Sequence, residues 1–534
     1  MNAAAASAAR VRTPRIDAWR LAPITAAAIG AATYLAIHPH TVDLAAHVYR
    51  TGLFAREGFT IWNGGWYAGH HTPAYSVLFP PLAWLIGTNG VGVLSALASA
   101  VLFAALARGH WGQRARWGAV WFGLATATLL FTGRIPFAMG IAVGLGSLLA
   151  LQRRRTALAC ALAVACSLSS PIAGLFLVLA AAACGLSERE WRRPAAAVGV
   201  AALVPPVLLS LAFPEGGWEP FVLSAFLPVP LAAAAAVIVL PRRERALRIG
   251  AALYGLAGIA AYAIHTPMGG NAMRLGALFA APVLVSAVRV EPGRRRALFV
   301  ALLVALTYWQ WTSATQDFAK SQEDPTAQAS YYRPLVDFLK HAGGPPGRVE
   351  VVFTRSHWEA AEVAPYYPLA RGWQRQLDLG RDGIFYGNDL NQVTYGMWLA
   401  EHAVRFVAVP DGKPDYSSYR ERGLIETGLP YLRQVWRSRN WRVYAVTLPH
   451  AMAADEPGAD IRAASMGNDS LTLAVRKPGS AIVRVRWTPY WRAPGGCVER
   501  AGDWTRVIAK RSGTLRMAID FSPVRIFEHG RRCS

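Results

Sequence analysis

Up to about residue 313 the chain is a succession of apolar runs divided by short polar breaks. The runs lie near 19–37, 75–107, 117–133, 136–151, 156–169, 172–186, 195–213, 222–240, 248–264, 272–288 and 297–313. Most approach the roughly 17–25 residues that a helix needs to cross a bilayer, and eleven crossings are predicted. The run 75–107 is interrupted by Pro80-Pro81 and by Gly87-Thr88-Asn89-Gly90. It reads as one crossing preceded by a Pro-broken re-entrant piece. Two short crossings would invert everything that follows.

Beyond residue 313 no long apolar run remains. Leu335, Val336, Phe338 and Leu339 predict a helix that Gly343-Gly344-Pro345-Pro346 stops. Val349–Phe353, Ala403–Val409 and Val443–Thr447 read as strands. Alternation in Leu471–Val475 and Ile482–Trp487, with a turn at Arg492–Gly496, predicts an all-β end. The expected fold is an α-helical polytopic membrane domain of about 11 spans, followed by a soluble α/β region and a β-sandwich-like region. The boundaries are a basic tail 1–18, a membrane domain 19–313 with a large loop 38–74, a mixed α/β region 314–460 and a β-rich region 461–534.

Charge supplies the orientation. Only 16% of the 534 residues are charged, against about a quarter in soluble proteins, and the net charge is +23. Of 25 Arg before residue 313, 21 fall in six clusters: Arg10–Arg20, Arg108–Arg116, Arg153–Arg155, Arg189–Arg193, Arg242–Arg248 and Arg289–Arg296. These alternate with connections that carry almost none, the positive-inside pattern. The expected localisation is a multi-pass cell-membrane protein with a cytoplasmic N-terminus and an extracytoplasmic C-terminal part. The first run lacks a small-residue cleavage site and reads as an uncleaved anchor. Basic residues interleaved with apolar runs weigh against nucleic acid as a partner. Cys160, Cys166 and Cys184 lie in predicted spans. Cys497 and Cys533 lie in the soluble part, where a disulfide and two free thiols are equal readings.

The loop 38–74 is far longer than a helix connection requires, and it holds His38, His40, Asp43, His47, Arg50, Arg56, Glu57, His70 and His71. Asp43, His47 and Arg50 share one face of a helix. Leu44, Val48 and Phe54 would hold that helix to the membrane surface, with Trp62, Trp66 and Tyr67 as interfacial anchors. Four Arg remain on the side that the charge bias disfavours: Arg50, Arg56, Arg134 and Arg274.

Asp43 with His47 just beyond the first span, and the aromatic–Pro-Pro-Leu entry Tyr75–Leu82 (YSVLFPPL), resemble the GT-C superfamily of polytopic glycosyltransferases. The soluble half is similar to the outer domains of GT-C and YfhO-type bacterial envelope proteins. The resemblance implies a polyprenyl-phosphate-linked sugar donor, an envelope glycan or lipid acceptor, contact with membrane lipids, and one-step transfer with inversion. Asp43 and His47 would be catalytic. Arg50, His70, His71, Arg134, His265 and Arg274 would bind substrate. Leu44 stands where many members carry a second acid, and no cofactor is expected; a divalent metal on the loop histidines is the alternative, without a clear ligand set to support it.

Competing readings stand beside these. Asp43 also suits the N-terminus of a helix without chemistry. Arg134 and Arg274 suit phospholipid headgroups. A non-catalytic envelope scaffold or polysaccharide-binding protein would use aromatic residues such as Trp487, Tyr490 and Trp491, which equally suit a sandwich core. A lipid or solute transporter would show inverted repeats and mid-span charges, and neither is visible.

Overall fold

The computed structural model describes residues 18–290, 292–322, 324–449 and 451–533. The predicted basic tail lies almost wholly outside the described residues. The membrane domain is built from α1 (Ala18–Ile37), α2 (Val42–Glu57), α3 (Phe79–Ile86), α4 (Thr88–Trp111), α5 (Arg116–Ala125), α6 (Ala127–Phe131), α7 (Ile135–Gln152) and α8 (Thr156–Ser169). It continues through α9 (Pro171–Ser187), α10 (Arg192–Ala212), α11 (Leu223–Phe226), α12 (Pro228–Val239), α13 (Arg245–Ala263), α14 (Met273–Ala287) and α15 (Arg294–Gln322).

Among the described residues, seven segments are long and apolar enough to cross a membrane. One of them, Thr88–Phe131, is two antiparallel rods joined at Gly112–Ala115. With the three shorter apolar helices the bundle has eleven rods, in the order the apolar runs predict. The protein is a membrane protein. At 1.5 Å per residue, the eight residues of α3 reach less than half of a hydrocarbon core, so α3 is no crossing. Gly87, at φ 80°, turns the chain from α3 into α4. Helices approach closely because their contact faces are small: α4 buries Gly92, Ser95, Ala96, Ser99, Ala100, Ala104 and Ala107. The rods leave Val200, Leu208, Leu231, Ile238 and Val304 exposed, as lipid contact requires. The last rod runs to Gln322, nine residues past its predicted end, because the polar turns after Ser313 continue the helix toward the soluble domain.

The soluble half holds two units. The first packs α16 (Ala329–His341) against a four-stranded sheet ordered β3 (Arg348–Val351), β4 (Val404–Pro410), β6 (Trp441–Val446), β5 (Leu432–Arg437). β3 and β4 are parallel and the other pairs antiparallel. The second unit is a sandwich that starts at Ala453 rather than at residue 461. Its two sheets are built from β7 (Ala453–Asp455), β8 (Asp460–Met466), β9 (Ser470–Lys477), β10 (Gly479–Arg486), β11 (Trp491–Arg492), β12 (Gly496–Ala501), β13 (Trp504–Ala509), β14 (Gly513–Ile519) and β15 (Arg532–Cys533). Cys497 and Cys533, opposite each other on β12 and β15, form a disulfide. Tyr490 and Trp491 are fully buried in the sandwich core and its contact with α10.

The loop 38–74 departs from expectation. Its two-residue ladder, β1 (Trp62–Asn63) against β2 (His70–His71), lies beneath the soluble domain. Trp62, Trp66 and Tyr67 are buried and do not anchor the chain at a membrane interface. Trp62 enters the sandwich core, and Trp66 stacks on Tyr49 of α2 at 4.3 Å. The aromatic-rich pattern is shared by interfacial belts and domain seams, and here the adjoining soluble mass takes the rings. Leu44 of α2 is likewise buried in a core that extends to Tyr331 and Trp358. Phe54 packs on Trp84 of α3 at 5.9 Å, so the expected membrane-facing side of α2 rests on α3 instead.

Candidate active site

Asp43 lies in the first turn of α2, where Thr41 is the N-cap residue. A carboxylate is favoured there by the helix dipole. The turn Thr132-Gly133-Arg134 between α6 and α7 comes down on this same place. Gly133, at φ 70°, lies so close to α2 that a Cβ would stand 2.7 Å from both the Leu44 nitrogen and the Thr41 Oγ1. Only glycine fits, and the consequence is that Arg134 Nε reaches 3.5 Å from Asp43 Oδ2. That is longer than the 2.7–2.9 Å of a charge-assisted hydrogen bond. Arg134 Nε, although buried, has no hydrogen-bond partner. The Asp43 side chain remains 37% exposed, so the pair is open to a ligand.

Arg274 comes from the first turn of α14. The residues before it are fixed by the 213–222 connection: Glu219 N–H donates to Thr266 O at 3.0 Å, and Gly270 N–H to Pro220 O at 3.3 Å. Arg274 stands 5.4 Å over the Phe137 ring, in electrostatic contact with Arg134, Asp43, Tyr75 and Glu219. Arg134 and Arg274 together line a cavity of about 30 Å³ with Thr132, Gln310 and Ser313. Starting at Leu275 and Gly276, next to Arg274, a mostly apolar cavity of about 490 Å³ runs the depth of the bundle to His110, Trp111 and Glu244 at the opposite end. Its size and lining suit a lipid chain.

His47 is buried on the same face of α2 as Asp43, 5.6 Å from Tyr75 and 5.4 Å from Phe79. Burial, with Arg50 and Arg274 adding, holds its pKa well below the usual imidazole range, so the ring is neutral. Its Nδ1 lacks a hydrogen-bond partner. Arg50 donates from Nη2 to Gln374 Oε1 at 2.9 Å and lies 3.8 Å over Tyr75. These five sequence-selected residues (Asp43, His47, Arg50, Arg134 and Arg274) therefore meet around Tyr75. The others do not join them. His70 stacks on Trp66, and burial pushes its pKa down to about 3. His71 lies in the seam between the halves, with Nδ1 2.6 Å from Glu215 Oε1 and Nε2 3.0 Å from Thr488 Oγ1. His265 is exposed and rests against Trp218 at 4.4 Å.

Sequence reasoning missed two carboxylates. Glu219 faces Arg274, Asp43, Arg375 and Arg134; burial raises its pKa to about 7 against the pull of Arg274. Asp317, on the last turns of α15, faces Arg134 and Asp43. A signal for Glu219 existed. Before residue 313 only four acids fall on the side of the soluble domain (Asp43, Glu57, Glu215 and Glu219), as sparse as the Arg that were singled out there. Among the described residues, no group of three or more His, Cys, Asp or Glu is placed to hold a metal ion. Around the site each carboxylate also faces an arginine.

No family model matches the sequence. No curated protein matches it either. Among solved structures, the chain is similar over 95% of its length to the arabinofuranosyltransferase AftD from Mycobacteria, at 13% identity and a TM-score of 0.46. It spans 57% of that larger chain. It is similar over 74% of its length to the oligosaccharyltransferase of Archaeoglobus fulgidus in the apo form, at 10% identity, a TM-score of 0.49 and 70% of that chain. A third similarity, over 73% of its length, is to the archaeal oligosaccharyltransferase AglB from Archaeoglobus fulgidus, in complex with an inhibitory peptide and a dolichol-phosphate, at 12% identity, a TM-score of 0.37 and 69% of that chain.

Proposed function

We propose that the protein is a GT-C-type membrane glycosyltransferase that moves a sugar from a polyprenyl-phosphate donor to an extracytoplasmic envelope acceptor. The observation that carries this reading is the convergence of Asp43, Arg134 and Arg274, each at the N-terminal end of a different helix, around a small cavity that Arg134 and Arg274 line, while the lipid-sized cavity begins at Leu275 and Gly276 next to Arg274. The Arg clusters from Arg108 onward lie at the opposite ends of the rods, which supports a cytoplasmic face there and an extracytoplasmic soluble domain.

Asp43 is the base. It takes the proton of the acceptor hydroxyl as the oxygen attacks the anomeric carbon. The bond from that carbon to the phosphate oxygen breaks, its electron pair leaves with polyprenyl phosphate, and the anomeric configuration inverts. Arg134 and Arg274 neutralise the departing phosphate, for which the guanidinium fork is suited. The long Asp43–Arg134 contact leaves Arg134 donors free for that task. His47, neutral and buried, positions the α2 face that carries Asp43, and Arg50 fixes that face to Gln374 of the soluble domain.

The test is an Asp43→Asn variant that inserts and folds like the parent, assayed in liposomes with a polyprenyl-phosphate-linked sugar and an envelope acceptor. Loss of the base is expected to lower transfer by about 10²–10⁴-fold. Full transfer by the variant would remove Asp43 from this role.

A further inference from the structure

A column of four stacked side chains climbs out of the soluble domain beside this site. At its base His357 sits between Glu359 and Asp415, each 3.4 Å away. Its ring stacks on Trp373 at 3.6 Å with the planes 7° apart. The Arg375 guanidinium lies over Trp373 at 4.9 Å and over Tyr416 at 4.7 Å. Tyr416, a residue 63% exposed, ends the column.

The column is fixed in place. Arg375 Nη2 donates to both Asp415 oxygens at 3.1 Å, and Nη1 donates to Tyr386 OH at 2.6 Å. Tyr386 OH in turn donates to Asp378. Trp373 donates its indole N–H to the Val42 carbonyl at 2.9 Å, one residue before Asp43. On the other flank, Gly217 approaches Gln376 so closely that a Cβ would stand 2.1 Å from its carbonyl oxygen. This brings Glu219 into electrostatic contact with both Arg375 and Tyr416. Glu219 thus interacts electrostatically with Tyr416 as well as with Arg134 and Arg274.

We propose that the open face of Tyr416 is an acceptor subsite, a stacking platform for a sugar ring of a carbohydrate acceptor. This rests on the glycosyltransferase reading above. The chemistry selects a carbohydrate over other partners. The Arg375 charge is already used by Asp415, so the site is not built for an anion. The chain around Tyr416 is polar (Asp411, Gly412, Lys413, Asp415 and Ser417) apart from the exposed Tyr419, a second ring rather than an aliphatic patch of the kind a protein partner covers. A single backed aromatic face among polar groups fits the apolar C–H face of a sugar and its hydroxyl rim. Because the guanidinium holds the ring, little side-chain freedom is lost on binding.

The experiment uses the full chain in nanodiscs, titrated calorimetrically with neutral hexasaccharides of glucose, mannose, galactose and arabinose. At least one should bind. Tyr416→Phe should bind it as the parent does, and Tyr416→Ala about tenfold more weakly, the loss of one stacking contact. Equal affinity of the Ala variant, or no hexasaccharide binding by the parent, would overturn the subsite. Transfer assays separate the two readings. Transfer with a Tyr416-independent affinity leaves the enzyme and removes the subsite. Tyr416-dependent binding without transfer leaves the subsite and removes the enzyme.

Discussion

Two clusters of arginine and carboxylate lie on either side of the seam between the halves, and they are built in opposite ways. In the soluble domain Arg371 is fully buried. It donates from Nε and Nη2 to the two Asp378 oxygens at 3.0 and 2.6 Å, with Glu350 and Glu421 at 3.6 and 3.5 Å. Phe353 and Phe385 lie 3.9 Å from its guanidinium carbon. At the membrane end, Arg134 meets Asp43 only at 3.5 Å, its Nε is unbonded, and the cluster borders a cavity. The first cluster has its space filled: Asp378 takes two of the guanidinium donors and two rings cover its faces, although Arg371 Nη1 and both Glu350 oxygens make no hydrogen bond. The second keeps donors and room for an anion from outside, and that difference separates a scaffold from a site.

The comparison breaks most visibly at Arg371. Arg371→Ala leaves three carboxylates without their cation and should cost about 3–5 kcal/mol, read as a lower unfolding midpoint and early proteolysis of the soluble domain. An unchanged midpoint would mean that the closed cluster is not structural. Arg274→Gln should do the reverse, with the unfolding midpoint nearly unchanged and transfer down by about 10–100-fold, the worth of a charge-assisted contact to phosphate. A fall in stability to match would place Arg274 with Arg371.

A smaller effect tests the backbone beneath Arg134. Gly133→Ala adds a Cβ at a positive φ and against Leu44, at about 1–3 kcal/mol. Transfer should fall several-fold as Arg134 moves off Asp43, whereas Gly112→Ala, at φ 59° but with nothing near its Cβ position, should cost stability alone.

The smallest effect is a pH profile. Glu219, with its pKa raised to about 7, faces Arg274, Arg134, Arg375 and Asp43. It is neutral below that pH and ionised above it. Ionisation competes with a phosphodiester for Arg274, so donor affinity should fall as pH rises from 6 to 8, by about threefold for one partly screened charge. Glu219→Gln should hold the low-pH affinity throughout. A wild-type profile that persists in this variant would show that another group titrates.

The membrane half of the fold was legible because two independent codes, apolar run length and Arg placement, agree along the chain. The strands around Val349, Phe406 and Val443 were legible from local apolar runs. β5, from Leu432 to Arg437, was not, because its side chains are mostly exposed and carry no such run. Arg134 and Arg274 stood out because each defies the charge bias, and Asp43 because it shares a helix face with His47 and Arg50 just beyond the first span. Nothing local marks Trp373 or Arg375 as neighbours of Asp43. Those contacts span more than three hundred residues and arise only when the soluble domain docks. The same docking took Trp62 and Trp66 from the expected interface into a core.

Trp358 donates its indole N–H to the His40 carbonyl at 3.2 Å, as Trp373 does to that of Val42, so two rings of the soluble domain grip the link between α1 and α2 and the first residue of α2. This bears on modular exchange. The soluble half is not a cassette that can be swapped while the transmembrane half keeps its function, because the backbone that carries Asp43 is held from above. A chimera would have to inherit both tryptophans and the link together, and the two halves form one heritable unit.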